Sequence, residues 1–432
     1  MDLNIPASGK KRAVIVGGGF GGVALARALT RRGGFQVVLI DRNNYHQFQP
    51  LLYQVATSGM EPTAISFPLR KVFRRSRDFH FRMAAVEAVD TERGRLRTSA
   101  GDVHYDYLVL AAGTDTNYFG LERVERHALP LKSVGEALAL RNRVLSAMEQ
   151  AVRTTDPRER SELLDFVVVG GGPTGVELAG ALAELQRHIF PKDYPELDIA
   201  GQMRIYLLNA APRLLEGFSE ESSARALRDL QRGGVEVVLG AMVRDFDGHT
   251  VYYNDGESIP ARTVVWASGV VANTVGGIGP ERCGRGRRIR VDAYNRMEGT
   301  ENVFVIGDQC LQTSDPRYPD GHPQVAQVAI QQGRSVAANL SRMAAGRAPE
   351  PFVYNDKGSM ATIGRNRAVA EIGGRHFGGF VAWALWLLVH LLFIIGVRNR
   401  LAVLFDWSWS YLTYDRPLRT IIRPAPRVRP GA

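Results

Sequence analysis

The first residues that could do chemistry form a glycine-rich loop near the start of the chain, Gly17-Gly18-Gly19-Phe20-Gly21-Gly22. Gly17, Gly19 and Gly22 have the spacing G-x-G-x-x-G, which allows a tight turn, a close approach of the backbone to a pyrophosphate, and packing of the following helix on the preceding strand. The helix N-terminus then faces the phosphates. Asp41 ends the next apolar run, where a carboxylate can accept hydrogen bonds from a ribose diol. These residues predict a dinucleotide site.

A second glycine-rich loop, Gly170-Gly171-Gly172-Pro173-Thr174-Gly175, has the same spacing. Asn209 stands at the end of the next apolar run, where the corresponding acid would be expected. An amide can still bind a ribose hydroxyl, but it lacks the charge that repels a 2′-phosphate, and Arg213 follows nearby. The second loop therefore predicts a nicotinamide donor, with weakened discrimination between NADH and NADPH.

Two acidic residues stand at positions suited to nucleotide chemistry. Glu177 lies two residues after Gly175. It could relay a proton beside a nicotinamide and a flavin, or it could be an ordinary first-turn acid stabilised by the helix dipole. Asp308 follows Gly307 at the end of a strand-like run, where it could bind a ribityl hydroxyl or lie near a phosphate.

Four further polar residues are candidates for contacts with a cofactor or an acceptor. Gln327 and Gln331 are four residues apart on a predicted helix and share a face. Their amides could donate to a carbonyl-bearing ligand or could be solvated. Lys357 could contact a flavin or quinone oxygen, or could be a surface lysine. His46 lies in an apolar segment that could line a hydrophobic channel or belong to the core.

The number and spacing of the cysteines do not favour a disulfide or a metal site. The chain has only two, Cys283 and Cys310, far apart and without CxxC spacing. This predicts no disulfide framework and no metal site, as is typical of a reducing compartment. Cys310 is expected to be a small buried residue. The first ten residues contain no apolar signal-peptide core, so export is not expected.

Apolar runs and helical periodicity place each loop in a β-α-β unit. Strands are predicted at residues 12–16, 35–40, 165–169 and 204–208, and helices at 22–30 and 176–186. Three further buried strands, at 107–112, 263–267 and 302–306, end just before Gly113, Ser268-Gly269 and Gly307. Ligands bind at the carboxyl ends of such parallel strands. We expect an amphipathic helix at 136–153 and a linker at 154–157.

The chain changes character after Gly374. Residues 380–397 form an uncharged apolar run with one histidine, His390. As a helix they would extend roughly 27 Å, just short of a hydrocarbon core. Tryptophan, tyrosine and arginine follow in residues 401–418, a mixture typical of the headgroup boundary. We therefore expect helices lying in one membrane leaflet rather than a span. A buried dimer interface is the main alternative.

Charge supports the membrane interpretation. Basic residues exceed acidic ones by 54 − 44 = +10. Arginines are frequent after the apolar run, at positions 398, 400, 416, 419, 423, 427 and 429. Basic residues beside an apolar segment favour an anionic membrane surface over nucleic acid as the partner. A solvated basic tail is the alternative.

Together these segments resemble the type II NADH:quinone oxidoreductases, also called alternative NADH dehydrogenases. The resemblance covers the chain from about Lys11 to Arg419. It rests on the motifs GGGFGG, YHQFQPLLYQVATSG, LVLAAGT, VVVGGGPTGVELAG, NVFVIGD, VAQVAIQQG, KGSMATIGR and VRNRLAVLFDWSWSYLTY. Many two-dinucleotide flavoproteins share the glycine loops, whereas AQVAIQ and the C-terminal apolar module are more diagnostic.

The resemblance implies an α/β fold with two Rossmann-like dinucleotide-binding domains, similar to glutathione reductase, and a C-terminal membrane-associating helical module. The expected limits are 11–118 and 288–375 for a discontinuous FAD-binding domain, 119–287 for the NAD(P)H-binding domain and 376–432 for the anchoring helices.

The resemblance also implies residue roles. FAD is expected at the first loop and at Asp41, Arg42, Val86, Ala112, Gly113, Asp308, Ala326, Gln327 and Lys357. NADH is expected at Gly170, Gly172, Pro173, Thr174, Gly175, Asn209, Ser268 and Gly269. Glu177 matches the family's proposed catalytic glutamate. Gln327 and Gln331 match its quinone-site motif, and His46 is expected on the quinone side.

The implied reaction has two halves. Hydride passes from NADH to FAD, and the reduced flavin then passes two electrons to a membrane quinone, either menaquinone or ubiquinone. The implied protein is a homodimer held on the cytoplasmic face of the inner membrane by its C-terminal helices. Because the apolar run holds only His390 as an ionisable group, we expect no proton pumping.

Three other classes remain as alternatives. Sulfide:quinone oxidoreductase shares the plan, but it needs cysteines close to the flavin, and Cys283 lies in an Arg/Gly-rich loop instead. A soluble NAD(P)H-dependent reductase of ferredoxin or of disulfides would not need the apolar tail. A redox-sensing module would bind NADH without quinone turnover.

Overall fold

The computed structural model describes residues 2–422, and contacts within the chain group them into two units. The first-loop unit contains the chain up to Gln47, Ser66–Asp115 and Val270–Lys357. The second-loop unit contains Phe48–Ile65, Thr116–Gly269 and the chain from Gly358 onward. Arg423, Arg427 and Arg429 of the basic tail lie outside the described residues.

This grouping differs from the limits predicted from the sequence. Residues 48–65 and 358–375 belong to the second-loop unit, and residues 270–287 to the first-loop unit. The physical reason is packing. The short helix Leu52–Ala56 packs on the long helix Val134–Arg153, and the strand Ser359–Gly364 packs on the helix that follows the second loop. Neither contact can be read from local periodicity.

The first-loop unit is built on a parallel sheet of five strands. Their order is Val303–Val305, Tyr107–Leu110, Lys11–Val16, Phe35–Asp41 and Phe79–Met83. Central residues such as Val14 and Val38 have no exposed surface, as expected of strands covered on both faces. The helices Phe20–Arg32 and Ala326–Ala344 pack on each other. The predicted β-α-β unit is confirmed.

Shorter elements complete the first-loop unit. Its remaining strands are Tyr45–Gln47, Ser66–Pro68, Val86–Asp90, Arg95–Thr98, Gly101–His104, Val270–Ala272, Ile289–Val291 and Cys310–Gln312. Its remaining helical segments are Leu69–Val72, Pro280–Arg282, Arg285–Arg287 and Gly307–Gln309. The strand Thr114–Thr116 follows the sheet strand Tyr107–Leu110.

The second-loop unit repeats the plan. Its parallel sheet has the order Leu129–Pro130, Thr263–Trp266, Asp165–Val169, Arg204–Asn209 and Val235–Leu239. The loop lies between Asp165–Val169 and the helix Pro173–Glu184, which begins three residues before the predicted helix. The internal duplication inferred from the two loops is therefore present in the structure.

Other elements surround this second sheet. The helical segments are Gln49–Leu51, Leu52–Ala56, Pro62–Ala64, Glu122–His127, Val134–Arg153, Pro157–Leu164, Leu185–Ile189, Phe190–Asp193, Ile199–Gln202, Glu220–Arg232, Gly379–Phe393 and Val397–Thr413. The strands are Val243–Phe246, Thr250–Tyr253, Glu257–Pro260, Ser359–Gly364, Arg367–Ile372 and Arg375–Gly378, in two antiparallel sheets.

Side-chain caps explain where two helices begin. The Ser133 hydroxyl accepts from the Glu136 backbone N–H while the Glu136 carboxylate accepts from the Ser133 N–H, so the long helix begins at Val134, two residues before the prediction. Asp156 caps the next helix, which starts with Pro157. The predicted linker at 154–157 thus leads directly into a helix.

The apolar tail is broken into two helices. The predicted helix at 380–397 is instead Gly379–Phe393, followed after a short turn by Val397–Thr413. The Arg400 guanidinium donates to the carbonyls of Leu392 and Ile394, which satisfies the end of the first tail helix. At fifteen residues that helix is about 22 Å long. Among residues 2–422, no helix combines the length and apolar character needed to cross a bilayer.

We predict that Gly180→Ala lowers the thermal unfolding midpoint. A methyl group at Gly180 would lie 2.0 Å from the Ile363 carbonyl oxygen, so the helix and strand would have to separate. Such overpacking costs about 1–3 kcal/mol. Gly135→Ala is the matched control, because the nearest atom to its added methyl is 3.9 Å away. Equal unfolding midpoints for the two variants would contradict this prediction.

Candidate functional site

The first loop is held by the strand beside it. Gly17 has a φ of +105°, and a Cβ there would lie 2.2 Å from the Ala111 carbonyl oxygen, so a side chain is excluded. The Gly18 N–H donates to Asp41 Oδ2 at 2.6 Å, and the Asn43 N–H donates to Asp41 Oδ1 at 2.7 Å. Burial raises the pKa of Asp41, and these two N–H groups partly oppose that rise. Asp41 therefore braces the loop.

The open side of this loop has the shape a pyrophosphate needs. A Cβ at Gly19 would meet no atom within 4 Å, and Gly19 immediately precedes the helix Phe20–Arg32. A Cβ at Gly22, in contrast, would lie 1.9 Å from the Gly17 carbonyl oxygen, so the helix can pack this closely on the turn only with a glycine there. Backbone N–H groups at a helix N-terminus form an anion site. The residues present thus fit the phosphates of FAD.

The second loop has the same geometry with a different brace. Gly171 N–H donates to Asn209 Oδ1 at 2.9 Å, as Gly18 does to Asp41. The Asn209 amide donates to the carbonyls of Ala211 and Arg213, at 3.2 and 3.0 Å. A Cβ at Gly172 would meet nothing within 4 Å, so this loop is also open above its helix. Asn209 therefore holds the second loop in place, a role that could not be predicted from its lack of charge.

The guanidinium of Arg213 is already engaged. It donates to the carbonyls of Phe218 and Glu216 and to the Ser223 hydroxyl, at 2.7, 2.7 and 3.1 Å. The predicted NADH contacts Ser268 and Gly269 follow the strand Thr263–Trp266. The Ser268 Cα lies 2.9 Å from a Cβ built on Gly170, which places this segment beside the second loop.

The turn Gly307–Gln309 gathers several predicted residues at the carboxyl end of the first sheet. The Thr114 hydroxyl donates to Asp308 Oδ2 at 3.4 Å, and the Ala112 N–H donates to Gln309 Oε1 at 3.1 Å. The Gly307 N–H donates to Gln332 Oε1 at 2.7 Å. Gln309 and Gln332 are almost fully buried. Sequence reasoning missed both, because nothing marks a glutamine as buried before its partners are known.

Arg42 and Val86 come shortly after two paired strands of the same sheet, Phe35–Asp41 and Phe79–Met83. Arg42 directly follows the strand Phe35–Asp41, and Val86 begins the strand Val86–Asp90.

Cys310 is buried as expected, and burial raises the pKa of its thiol to about 12, which leaves it in the thiol form.

His46 is buried against the first loop. Its Nδ1 lies 2.9 Å from the Gly18 carbonyl oxygen, and its ring meets the Phe20 ring edge to face. Burial lowers the pKa of His46 to about 4, so the ring is neutral at neutral pH and Nδ1–H donates to that carbonyl. Of the two alternatives for His46, a channel or the core, these contacts favour the core.

Gln327 and Gln331 lie on the helix Ala326–Ala344 and share a face, as predicted. Their amides bind residues 355–357. Gln331 donates to the Asn355 carbonyl at 2.8 Å and accepts from the Asn355 N–H at 3.0 Å. Gln327 Oε1 accepts from the Lys357 N–H at 3.1 Å. The two glutamines therefore attach the segment that carries Lys357 to the helix.

Glu177 lies in the second turn of its helix, so its interpretation as an ordinary first-turn acid is wrong. It is 8% exposed, and its Oε1 accepts from the Thr362 N–H at 3.3 Å and from the Trp386 indole N–H at 3.2 Å. Burial raises the pKa of Glu177 to about 8. It can therefore hold a proton at neutral pH. Trp386 was missed because nothing distinguishes it within an apolar run.

Comparison with known proteins places this geometry in a family. The model of the pyridine nucleotide-disulphide oxidoreductases matches residues 11–333, and that of the NDH2 C-terminal domain matches residues 357–414. Two Mycobacterium tuberculosis proteins, type II NADH:quinone oxidoreductases Ndh and NdhA, are 40% and 38% identical to the chain. The alignments cover 95% and 94% of this chain and 90% and 88% of those proteins.

Solved structures show the same fold. NDH2 from Plasmodium falciparum, in complex with NADH, has a TM-score of 0.87 at 20% identity, covering 95% of this chain and 99% of that one. The sulfide:quinone oxidoreductase of Aquifex aeolicus has a TM-score of 0.71 at 17% identity, covering 94% and 96%. The predicted fold is confirmed, and the main functional interpretation is supported over the sulfide alternative. The chain belongs to the type II NADH:quinone oxidoreductases, flavoenzymes that use FAD to oxidise NADH with a quinone as acceptor.

Proposed function

We propose that this enzyme binds FAD at the first loop and NADH at the second, works on the cytoplasmic face of the inner membrane, and reduces a membrane quinone without pumping protons. The observation that carries the proposal is the pair of braced, open glycine loops, each at the carboxyl end of its own parallel sheet. Two such loops provide one place for a resident dinucleotide and another for an exchangeable one.

When bound, FAD would supply the redox chemistry, accepting a hydride from the nicotinamide and passing two electrons to the quinone. The first loop and Asp41 would hold the pyrophosphate and ribose of its nucleotide half. The remaining FAD contacts in the proposal are Arg42, Val86, Ala112, Gly113, Asp308, Ala326, Gln327 and Lys357. Those for NADH are Gly170, Gly172, Pro173, Thr174, Gly175, Asn209, Ser268 and Gly269. Support comes from the bonds that join Ala112 to Gln309 and Thr114 to Asp308 at the sheet end.

Glu177 is the proposed proton donor, since burial keeps its carboxyl protonated at neutral pH. Gln327 and Gln331 contribute to the quinone side by holding the Lys357 segment against their helix. His46 contributes to the quinone side only indirectly, because its ring binds the Gly18 carbonyl of the first loop.

The tail is the proposed membrane contact. Its two helices carry many large apolar side chains that are exposed in the chain alone: Phe380, Val381, Leu388, Leu392, Phe393, Val397, Leu401, Leu404, Phe405, Trp409, Tyr411 and Leu412. A surface of this kind binds a bilayer or another protein. Exposed Arg398 adds a positive charge at its edge. A menaquinone or ubiquinone dissolved in the same bilayer would be the acceptor, and a homodimer could share this face.

We predict electron transfer without proton movement. Proteoliposomes given NADH should reduce menaquinone or ubiquinone analogues while a pH dye in the lumen stays constant. The first tail helix contains His390 as its one titratable side chain, and burial lowers the pKa of His390 to about 4, so it remains neutral. Uncoupler-sensitive acidification or alkalinisation of the lumen would overturn the prediction.

We predict that Phe405→Glu with Leu412→Glu weakens binding to anionic vesicles by at least about tenfold. Both side chains are more than 60% exposed, and a carboxylate in apolar lipid is strongly disfavoured. Flotation measures the effect. Val353→Glu is the matched control, because Val353 is equally exposed but lies in the first-loop unit. Unchanged flotation together with loss of a dimer would identify the face as a protein interface instead.

We predict appreciable activity with NADPH. With Asn209 in place of an acid, steady-state kcat/KM should favour NADH by less than about a thousandfold, or roughly 4 kcal/mol. Asn209→Asp should raise the preference for NADH by about tenfold or more, because a carboxylate repels a 2′-phosphate. Asn254→Asp, the same charge change in the turn between the strands Thr250–Tyr253 and Glu257–Pro260, should leave it unchanged. A wild-type preference above a thousandfold would contradict the prediction.

A further inference from the structure

We propose that Trp386 is a positioning residue for Glu177: its indole N–H, together with the Thr362 N–H, occupies one carboxyl oxygen and leaves the acidic proton on the other. The proposal rests on the proposed role of Glu177 as proton donor. The first tail helix would then position a carboxyl group inside the protein, in addition to making its proposed contact with lipid.

The two hydrogen bonds determine which oxygen carries the proton. Trp386 Nε1 and Thr362 N both donate to Oε1, at 3.2 and 3.3 Å. A protonated carboxyl has one O–H donor and one carbonyl oxygen that accepts. An oxygen that already receives two N–H groups is the carbonyl oxygen. The proton of Glu177 therefore resides on Oε2, where it is available for transfer.

Packing fixes the indole that makes this bond. Trp386 is 1% exposed. Its ring stacks on His390 with 4.0 Å between centroids, and it meets Trp407 at 5.8 Å and the edge of Tyr53 at 6.4 Å. His390 is tied to the same helix through the Trp386 carbonyl, 2.7 Å from its Nδ1. With neighbours on several sides, the indole cannot turn its N–H away without disturbing the tail helix.

A second contact attaches the other tail helix to the same region. Trp407 Nε1 donates to Gln54 Oε1 at 2.7 Å, and Gln54 Nε2 donates to the Tyr53 hydroxyl at 2.8 Å. Both tail helices therefore contribute a tryptophan to the aromatic surroundings of Glu177. The indole N–H of Trp386 contacts the carboxyl directly, whereas that of Trp407 does not.

The charged and titratable groups around this helix leave the carboxyl protonated. Tyr53 from the Leu52–Ala56 helix and His390 from the tail are both neutral, because burial raises the pKa of Tyr53 and lowers that of His390. Further along, Glu184 is paired with Arg416 at 2.6 Å and accepts from the Arg365 N–H. Burial raises the pKa of Glu177, and the N–H groups of Thr362 and Trp386 oppose the rise. Removing the indole N–H should therefore raise this pKa further.

The test is an infrared pH titration of the purified full-length enzyme with FAD bound. Glu177→Gln identifies the C=O band of the protonated carboxyl. Trp386→Phe keeps an aromatic ring but removes the N–H, and the midpoint of the band should rise by about one pH unit, a tenfold gain in proton affinity. The alkaline limb of the kcat/KM profile should move the same way. Trp383→Phe is the control, since Trp383 lies on the same helix but stacks on Tyr411.

A wild-type measurement keeps the proposal testable if Trp386→Phe fails to fold. With ¹⁵N-labelled indoles, one of the five tryptophan N–H signals should shift with the Glu177 midpoint and lose that shift in Glu177→Gln. The proposal is overturned if no indole signal follows the titration, or if folded Trp386→Phe titrates like wild type. If Glu177→Gln still reduces quinone at the wild-type rate, the proposed function of Glu177 fails, while the titration still reports on positioning.

Discussion

One hydrogen bond, made twice, underlies both nucleotide sites. In each unit the side chain at the end of one strand accepts from a backbone N–H of the glycine loop that follows the neighbouring strand. Parallel pairing places the two ends together, with Val16 opposite Ile40 and Val169 opposite Leu208. The loop can then bend sharply and leave its N–H groups open above the helix. Without this bond, the glycines would be free to take many other conformations.

The two braces share geometry and differ in charge. Asp41 accepts one N–H group at each oxygen, from Gly18 and Asn43, and each oxygen keeps a further lone pair for a ligand hydroxyl. Asn209 is neutral and also donates, which ties the strand end to the turn containing Arg213. The same backbone can thus be built on a charged or an uncharged residue. The fold therefore does not depend on the charge of this residue.

The loops and their strands could be predicted from the sequence because they depend on residues close together in the chain. Asp41 and Asn209 were also located, but as ribose contacts rather than as the side chains that hold the loops. Spacing shows where a glycine loop must be, and periodicity shows which strands are buried. The partners of Glu177, Gly307 and Ala112 could not be predicted. Trp386, Gln332 and Gln309 are each brought to them by packing of distant segments. Periodicity identifies an apolar face, but it does not show which residue on that face meets a polar atom.

The bond between Trp386 and Glu177 also bears on how the enzyme is made. Both glycine loops precede Trp386 in the chain, so the ribosome completes them well before the tail. Domains can fold as they emerge during synthesis. A chain interrupted between the loops and the tail would contain the strands that carry both loops. It would lack the indole that donates a hydrogen bond to the Glu177 carboxyl. Docking of the tail would then mark the last step of maturation, so that an incomplete chain would lack the indole that positions the proposed proton donor.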